Sequence, residues 1–213
     1  MSAISLDEQI ALLEENGISG EVLESMSRAS MFHGHICPGL AIGVSASLSF
    51  LKGKERSGDE EIVAIVENDS CGVDGIQALL GCTFGKGNLI FKDHGKSVYT
   101  FFDRNTGRGW RYSLKEFPEP DDGAIDLFNK VRSEEASPEE KDRFGRLWVD
   151  RAARVLEAGE NLFDTREVDG GLPEKARIFD SFICPGCGEK TGAHRSVEID
   201  GERYCIPCLK GRS

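Results

Sequence analysis
The chain has 213 residues, 39% of them hydrophobic and 30% charged, with 25 glycines, a composition that builds a folded core and excludes a disordered tail. Its formal charge of −11 and pI near 4.9 argue against broad electrostatic binding to nucleic acid or anionic lipid, because both need a basic face. The longest stretch without a charged residue, Ala29 to Leu51, is interrupted by His33, His35 and Pro38, and the acidic N-terminus shows no secretory signal, so no membrane span and a cytoplasmic location are expected.

Leu6, Ile10 and Leu13 recur at helical spacing after Ser5, and Val22, Leu23 and Met26 repeat the pattern, so the chain opens with two short helices. A third helix is predicted from Pro38 to about Leu51. Ile62 to Val66 is short, apolar and mostly β-branched, as in a buried strand, and Gly72 to Leu80 fits a helix ended by Gly81. Leu89 to Phe91, Ser97 to Phe102 and Trp110 to Tyr112 read as further strands. Ser137, Pro138 and Glu140 form a capping box with proline at the first helical position, and the helix they start buries Phe144, Leu147, Trp148 and Val155 and stops at Gly159. The class is α+β: a core sheet with flanking helices. Gly170 to Pro173 reads as a linker, which divides the chain into a core domain, 1–170, and a small C-terminal domain, 171–213. Residues 181–213 carry a net charge of +1, leaving −12 for the rest.

Seven cysteines, an odd number, in a chain expected in a reducing compartment point to metal ligation before disulfides. Cys184 and Cys187 form one C-x2-C knuckle and Cys205 and Cys208 another, separated by 17 residues. Four thiolates match tetrahedral Zn²⁺ in a closed, structural site, and the intervening segment, turning at Asp200 and Gly201, suits a hairpin that folds one knuckle onto the other. A rubredoxin-type iron site is the lesser alternative.

The second constellation is His33, His35, Cys37 and Pro38. Proline disfavours helix at Cys37, so the preceding stretch is expected to be extended, with the three side chains on one face. Proline also starts helices well, which places Cys37 at a helix N-cap, where the dipole lowers a thiol pKa. His35 and Cys37 are thus the candidate reactive pair, and His33, His35 and Cys37 the candidate ligands of a second divalent transition metal. The competing reading is a buried loop whose cysteine is an apolar filler. Cys71 or Cys82 could add one ligand. An intervening helix holds their sulfurs roughly 15 Å apart, so only one can join, and Cys71, between a strand and a helix start, is preferred. Gly85, Lys86 and Gly87 lack the order of a P-loop, yet their backbone N–H groups and the lysine could hold the anionic group of a small substrate.

The segments FHGHICPGLAIGVSAS, NDSCGVDGIQALLGCTFGKGNL and CPGCGEKTGAHRSVEIDGERYCIPC, in this order, resemble the FmdE family, which takes its name from a component of formylmethanofuran dehydrogenase. The resemblance implies an α+β core, a C-terminal zinc finger of treble-clef type and a homodimer in which the finger packs against the core of the other protomer. It carries His35, Cys37 and Cys71 over as cleft residues and Cys184, Cys187, Cys205 and Cys208 as finger ligands. Nothing in the chain resembles a pterin-binding or ferredoxin sequence. The implied role is therefore accessory to a molybdenum or tungsten oxidoreductase, or action on a small anionic substrate at the cleft. The alternative is a zinc-finger regulatory or interaction module without catalytic activity.

Overall fold
Helix initiation and termination in this chain follow local side-chain chemistry closely. The computed structural model describes residues 4–115 and 122–210. Helix α1 (Leu6–Glu15) starts at Ser5, whose hydroxyl accepts from the Glu8 backbone N–H while the Glu8 carboxylate accepts from Ser5 N–H in return. Helix α2 (Gly20–His33) ends at Gly34, which adopts φ +96°, a conformation open to glycine at little cost. Helix α3 (Pro38–Leu51) follows Cys37, whose sulfur accepts from the Leu40 N–H at 3.3 Å. Strand β1 (Ile62–Val66) and helix α4 (Gly72–Leu80) come next. Then follow strands β2 (Leu89–Phe91), β3 (Val98–Asp103) and β4 (Arg108–Leu114), helices α5 (Asp122–Arg132) and α6 (Pro138–Ala158), and strand β5 (Phe163–Val168). The expected capping box of Ser137 and Glu140 starts α6, and Gly159 ends it.

The sheet runs β2-β1-β3-β4-β5, with β1 and β2 parallel and the other neighbours antiparallel. All of β1 is buried, because both faces of the sheet are covered. Ala64, Val66, Tyr99 and Phe101 belong to the main core with residues of α3, α4 and α6. The alternate residues Val63, Ile65 and Phe102 pack with Ile90, Val168 and Leu172, as the two-residue period of a strand requires. Beyond β1, the buried Glu67 carboxylate receives both terminal nitrogens of Arg111 and lies 3.1 Å from His94 Nδ1.

One close approach decides where the functional residues lie. A Cβ built on Gly43 of α3 would stand 1.9 Å from the Gly72 carbonyl oxygen of α4, so the two helices touch backbone to backbone only because that position carries glycine. Cys37 and Cys71 cap the N-termini of these helices. Close crossing therefore brings two cysteines 34 positions apart in sequence to one place.

The chain divides into two units, residues 1–175 and 176–213. In the second, strands β6 (Ser181–Ile183) and β7 (Lys190–Gly192) form one antiparallel pair, and β8 (Ser196–Ile199) and β9 (Glu202–Cys205) form another before helix α7 (Ile206–Lys210). The β8–β9 turn is Asp200 and Gly201, both at positive φ, the combination that suits a tight two-residue hairpin.

The structure departs from expectation at α5, at β5, at the β6–β7 pair and in the stretch before Pro38. Helix α5 and strand β5 are additions to the expected elements: β5 is an edge strand of mixed, largely exposed character, and α5 is short, with its apolar residues confined to one stripe. The stretch before Pro38 is not extended throughout, because His33 still belongs to α2 and the chain turns at Gly34.

Candidate metal centre and cleft
That turn, not a continuous extended strand, gathers the N-terminal constellation. His33 projects from the last turn of α2, the chain reverses at Gly34, and His35 and Cys37 follow on the way into α3. One ligand atom from each of His33, His35 and Cys37 lies within 4.8 Å of the other two. The two imidazole rings have centroids 4.4 Å apart. His33 Nδ1 sits 2.6 Å from the Asp74 carboxylate, and its Nε2 faces the Cys37 sulfur at 3.9 Å. A carboxylate on one ring nitrogen fixes the tautomer that leaves the other as an electron-pair donor. Asp74 joins this constellation through His33, and sequence reasoning missed it. Its signal was its position three residues after Cys71 at the start of a helix, which puts both on adjoining faces.

Electrostatics separates the two cysteines. The expected easily ionised thiol at Cys37 is corrected: its pKa is raised, first by donating a hydrogen bond to Cys71 and then by burial. Cys71 is the group that ionises first, lowered to about 6 by that hydrogen bond from Cys37, against the opposing effect of burial and with help from His33. The helix start favours the anion at both positions, so the more exposed sulfur takes the charge. Burial, followed by the neighbouring His33, lowers the pKa of His35, which favours the neutral imidazole that ligates metals. Nitrogen and sulfur donors of this kind suit a borderline-soft divalent ion such as zinc, and do not suit magnesium or calcium.

Cys82 lies elsewhere. It is buried, its thiol donates to the Ile62 carbonyl at 3.4 Å, and burial pushes its pKa up to about 12. The Lys86 ammonium donates to the carbonyl oxygens of Asp59, at 2.9 Å, and Gly58, so it braces the loop before β1.

The His/Cys cluster opens into a cleft of about 930 Å³. His35, Cys37, Gly39 and Cys71 line one end, and α5 and α6 supply a wall of Ile125, Phe128, Phe144 and Trp148 with Arg132 and Arg151. Sequence reasoning places Phe144 and Trp148 in the core. Phe144 is buried, whereas Trp148 is only partly so and stacks on Phe128 at 5.4 Å.

In the second unit, one sulfur from each of Cys184, Cys187, Cys205 and Cys208 lies within 4.8 Å of the others. The sulfurs of Cys187 and Cys205 are 3.8 Å apart, which is the edge of a tetrahedron whose centre-to-sulfur distance is about 2.3 Å. The Cys205 N–H donates to the Cys184 sulfur at 3.4 Å and is the leading cause of the Cys184 pKa falling to about 6. Its neighbours oppose further ionisation: the hydrogen bonds that the Cys208 thiol donates to Cys205 and Cys187 push its pKa up to about 12. A divalent cation among them inverts that balance and deprotonates the set. The four-cysteine cluster is thus a candidate metal site.

Residues 32–164 match the family described as FmdE, molybdenum formylmethanofuran dehydrogenase operon. The chain belongs to the FmdE family. A solved FmdE relative, a tungsten formylmethanofuran dehydrogenase FmdE-like protein from Syntrophus aciditrophicus, is 27% identical with a TM-score of 0.56, covering 91% of this chain and 94% of that one. A protein of Archaeoglobus fulgidus described as a probable S-adenosyl-L-methionine-binding protein is 35% identical over 94% of this chain. The FmdE chain spans only 56% of that relative's length. Among the described residues no helix is long and apolar enough to cross a membrane.

Proposed function
We propose that this FmdE protein is a two-site metalloprotein. His33, His35, Cys37 and Cys71 hold a divalent transition metal at the head of the cleft, and Cys184, Cys187, Cys205 and Cys208 hold a structural Zn²⁺. The observation that carries the first site is Asp74 on the far nitrogen of His33, the arrangement that orients metal-ligating histidines. A metal there supplies Lewis acidity. The chain's own residues do the rest: Asp74 fixes the imidazole, Cys71 offers a ready thiolate, and the apolar wall of α5 and α6 limits access of water.

Family membership favours a role beside a formylmethanofuran dehydrogenase-like oxidoreductase, as an accessory protein working as a homodimer in the cytoplasm. S-adenosyl-L-methionine, named for the Archaeoglobus fulgidus relative, is the ligand to test first by calorimetry with the metal-loaded chain. A second reading, the finger as a protein-interaction module, is favoured by the exposed Ile183, Val197 and Ile206. Elemental analysis of protein purified without added metal separates the two readings. Two metals per chain, falling to one in both Cys37→Ser and Cys205→Ala, supports the two-site protein. One metal, unaffected by Cys37→Ser, leaves only the finger.

A further inference from the structure
The backbone at the first turns of α3 and α4 presses Cys37 and Cys71 together. A Cβ built on Gly39, two positions after Cys37, would stand 3.2 Å from the Cys71 Cβ, 3.8 Å from the Cys71 sulfur and 4.0 Å from the Cys37 sulfur. One built on Gly72, next to Cys71, would stand 3.1 Å from the Gly39 carbonyl oxygen. The Cys37 thiol donates a hydrogen bond to the Cys71 sulfur. A disulfide needs this proximity, its Cβ atoms being about 3.5–4.5 Å apart. Both residues line the cleft, and Cys71 is the better exposed of the two, so a reagent in solution meets Cys71 first. Cys82, buried and bonded to the Ile62 carbonyl, takes no part in this contact.

We infer that Cys37 and Cys71 are a reversible dithiol–disulfide couple, and that closing the bond empties the metal position at the head of the cleft. The regulation rests on the metal reading above; the bond itself does not. The oxidant is a low-molecular-weight disulfide, for which glutathione disulfide serves as the probe. The Cys71 thiolate attacks one of its sulfurs, which breaks that S–S bond, expels one glutathione thiolate and leaves a mixed disulfide on Cys71. The Cys37 sulfur, its proton released to solvent, then attacks the Cys71 sulfur, and the second glutathione leaves as thiolate. The protein pair loses two electrons and two protons, and glutathione disulfide becomes two thiols. A disulfide sulfur lacks the thiolate charge that ligates a metal. Oxidation therefore withdraws two ligands together, and reduction restores both.

The test uses the full chain with its finger metal retained, held at a series of glutathione disulfide to glutathione ratios, quenched with N-ethylmaleimide and digested with trypsin. Wild type should lose two alkylatable thiols and gain one bond between peptides 29–52 and 57–86, which fragmentation should place at Cys71 rather than Cys82. Elemental analysis of the oxidised chain should show the cleft metal lost, and dithiothreitol with added zinc should restore it. In Cys37→Ser, where serine is itself a good helix N-cap, Cys71 has no second thiol to resolve it and should accumulate as the glutathione adduct that wild type does not build up. Two metals per chain with no Cys37–Cys71 bond at any ratio overturns the proposal and leaves the metal reading standing. So does a cleft metal retained after the bond has closed, a bond to Cys82 or a finger cysteine instead, or a Cys37→Ser chain that stays free of adduct. A wild type that holds the finger metal alone, yet forms the mapped bond and the Cys37→Ser adduct, upholds the couple and defeats only the metal reading.

Discussion

The Asp74 carboxylate and His33 Nδ1 stand 2.6 Å apart across the junction of α2 and α4, which turns the other imidazole nitrogen toward Cys37. Loss of such a carboxylate partner lowers metal affinity by roughly 10- to 100-fold in comparable sites. Asp74→Asn should therefore weaken retention of the cleft metal by that factor in a chelator competition. The finger metal and the melting temperature should be unchanged, since Asp74 is a part-exposed helix residue. Equal retention of both metals in wild type and variant would show that Asp74 does not orient a ligand.

Gly43→Ala tests how the cysteines are brought together. A methyl group 1.9 Å from the Gly72 carbonyl forces α3 and α4 apart, at a cost of about 3 kcal/mol or more in unfolding free energy. Denaturant titration should show that loss, and alkylation of Cys71 should no longer be slowed by loading with zinc. A fully stable variant would mean that the helices slide with little cost and that the contact is not what fixes the site.

The two clusters are unequally legible in the sequence. The finger cysteines are close in sequence and paired, so spacing alone announces them, and the Asp200–Gly201 turn is equally plain. Cys37 at the α3 N-cap is also readable from Pro38. The meeting of Cys37 with Cys71 depends on a helix crossing, which no local pattern encodes, and the direction of ionisation between them depends on which sulfur is better exposed. Gly85 to Gly87 attract an anionic-ligand reading because glycines and a lysine stand together there. The loop carbonyls that Lys86 meets come from residues 58 and 59, out of reach of any local argument.

The Glu67–Arg111 pair sets a pH dependence. The hydrogen bond from Arg111, ahead of the one from His94, holds the Glu67 carboxyl below the usual carboxylate range. A depressed folded-state pKa means stability that is present above the unfolded value of about 4.3 and is lost as pH falls through the folded value. Wild type should thus lose stability below about pH 4. Arg111→Met, which leaves the buried Glu67 charge without its main partner, should cost about 2 kcal/mol or more at neutral pH. The deficit should shrink on acidification, as read from urea midpoints at several pH values. A deficit that stays constant down to about pH 3 would contradict this assignment.

Cys205→Ala removes one of four finger thiolates from a segment whose buried cluster is Cys184, Tyr204 and Cys205. The variant should lose one metal per chain and the amide dispersion of residues 176–210 in NMR, with the resonances of the first unit retained. Retained zinc in this variant would remove the structural role of the site.

The central claim, a second metal at the head of the cleft, is tested most directly by an anomalous difference map at the metal edge from crystals grown without added metal. Two peaks per chain are predicted, one among Cys184, Cys187, Cys205 and Cys208 and one in coordination range of His33 Nε2, His35 and the Cys37 sulfur. A single peak at the finger, with ordered but unligated His33, His35 and Cys37, would contradict it.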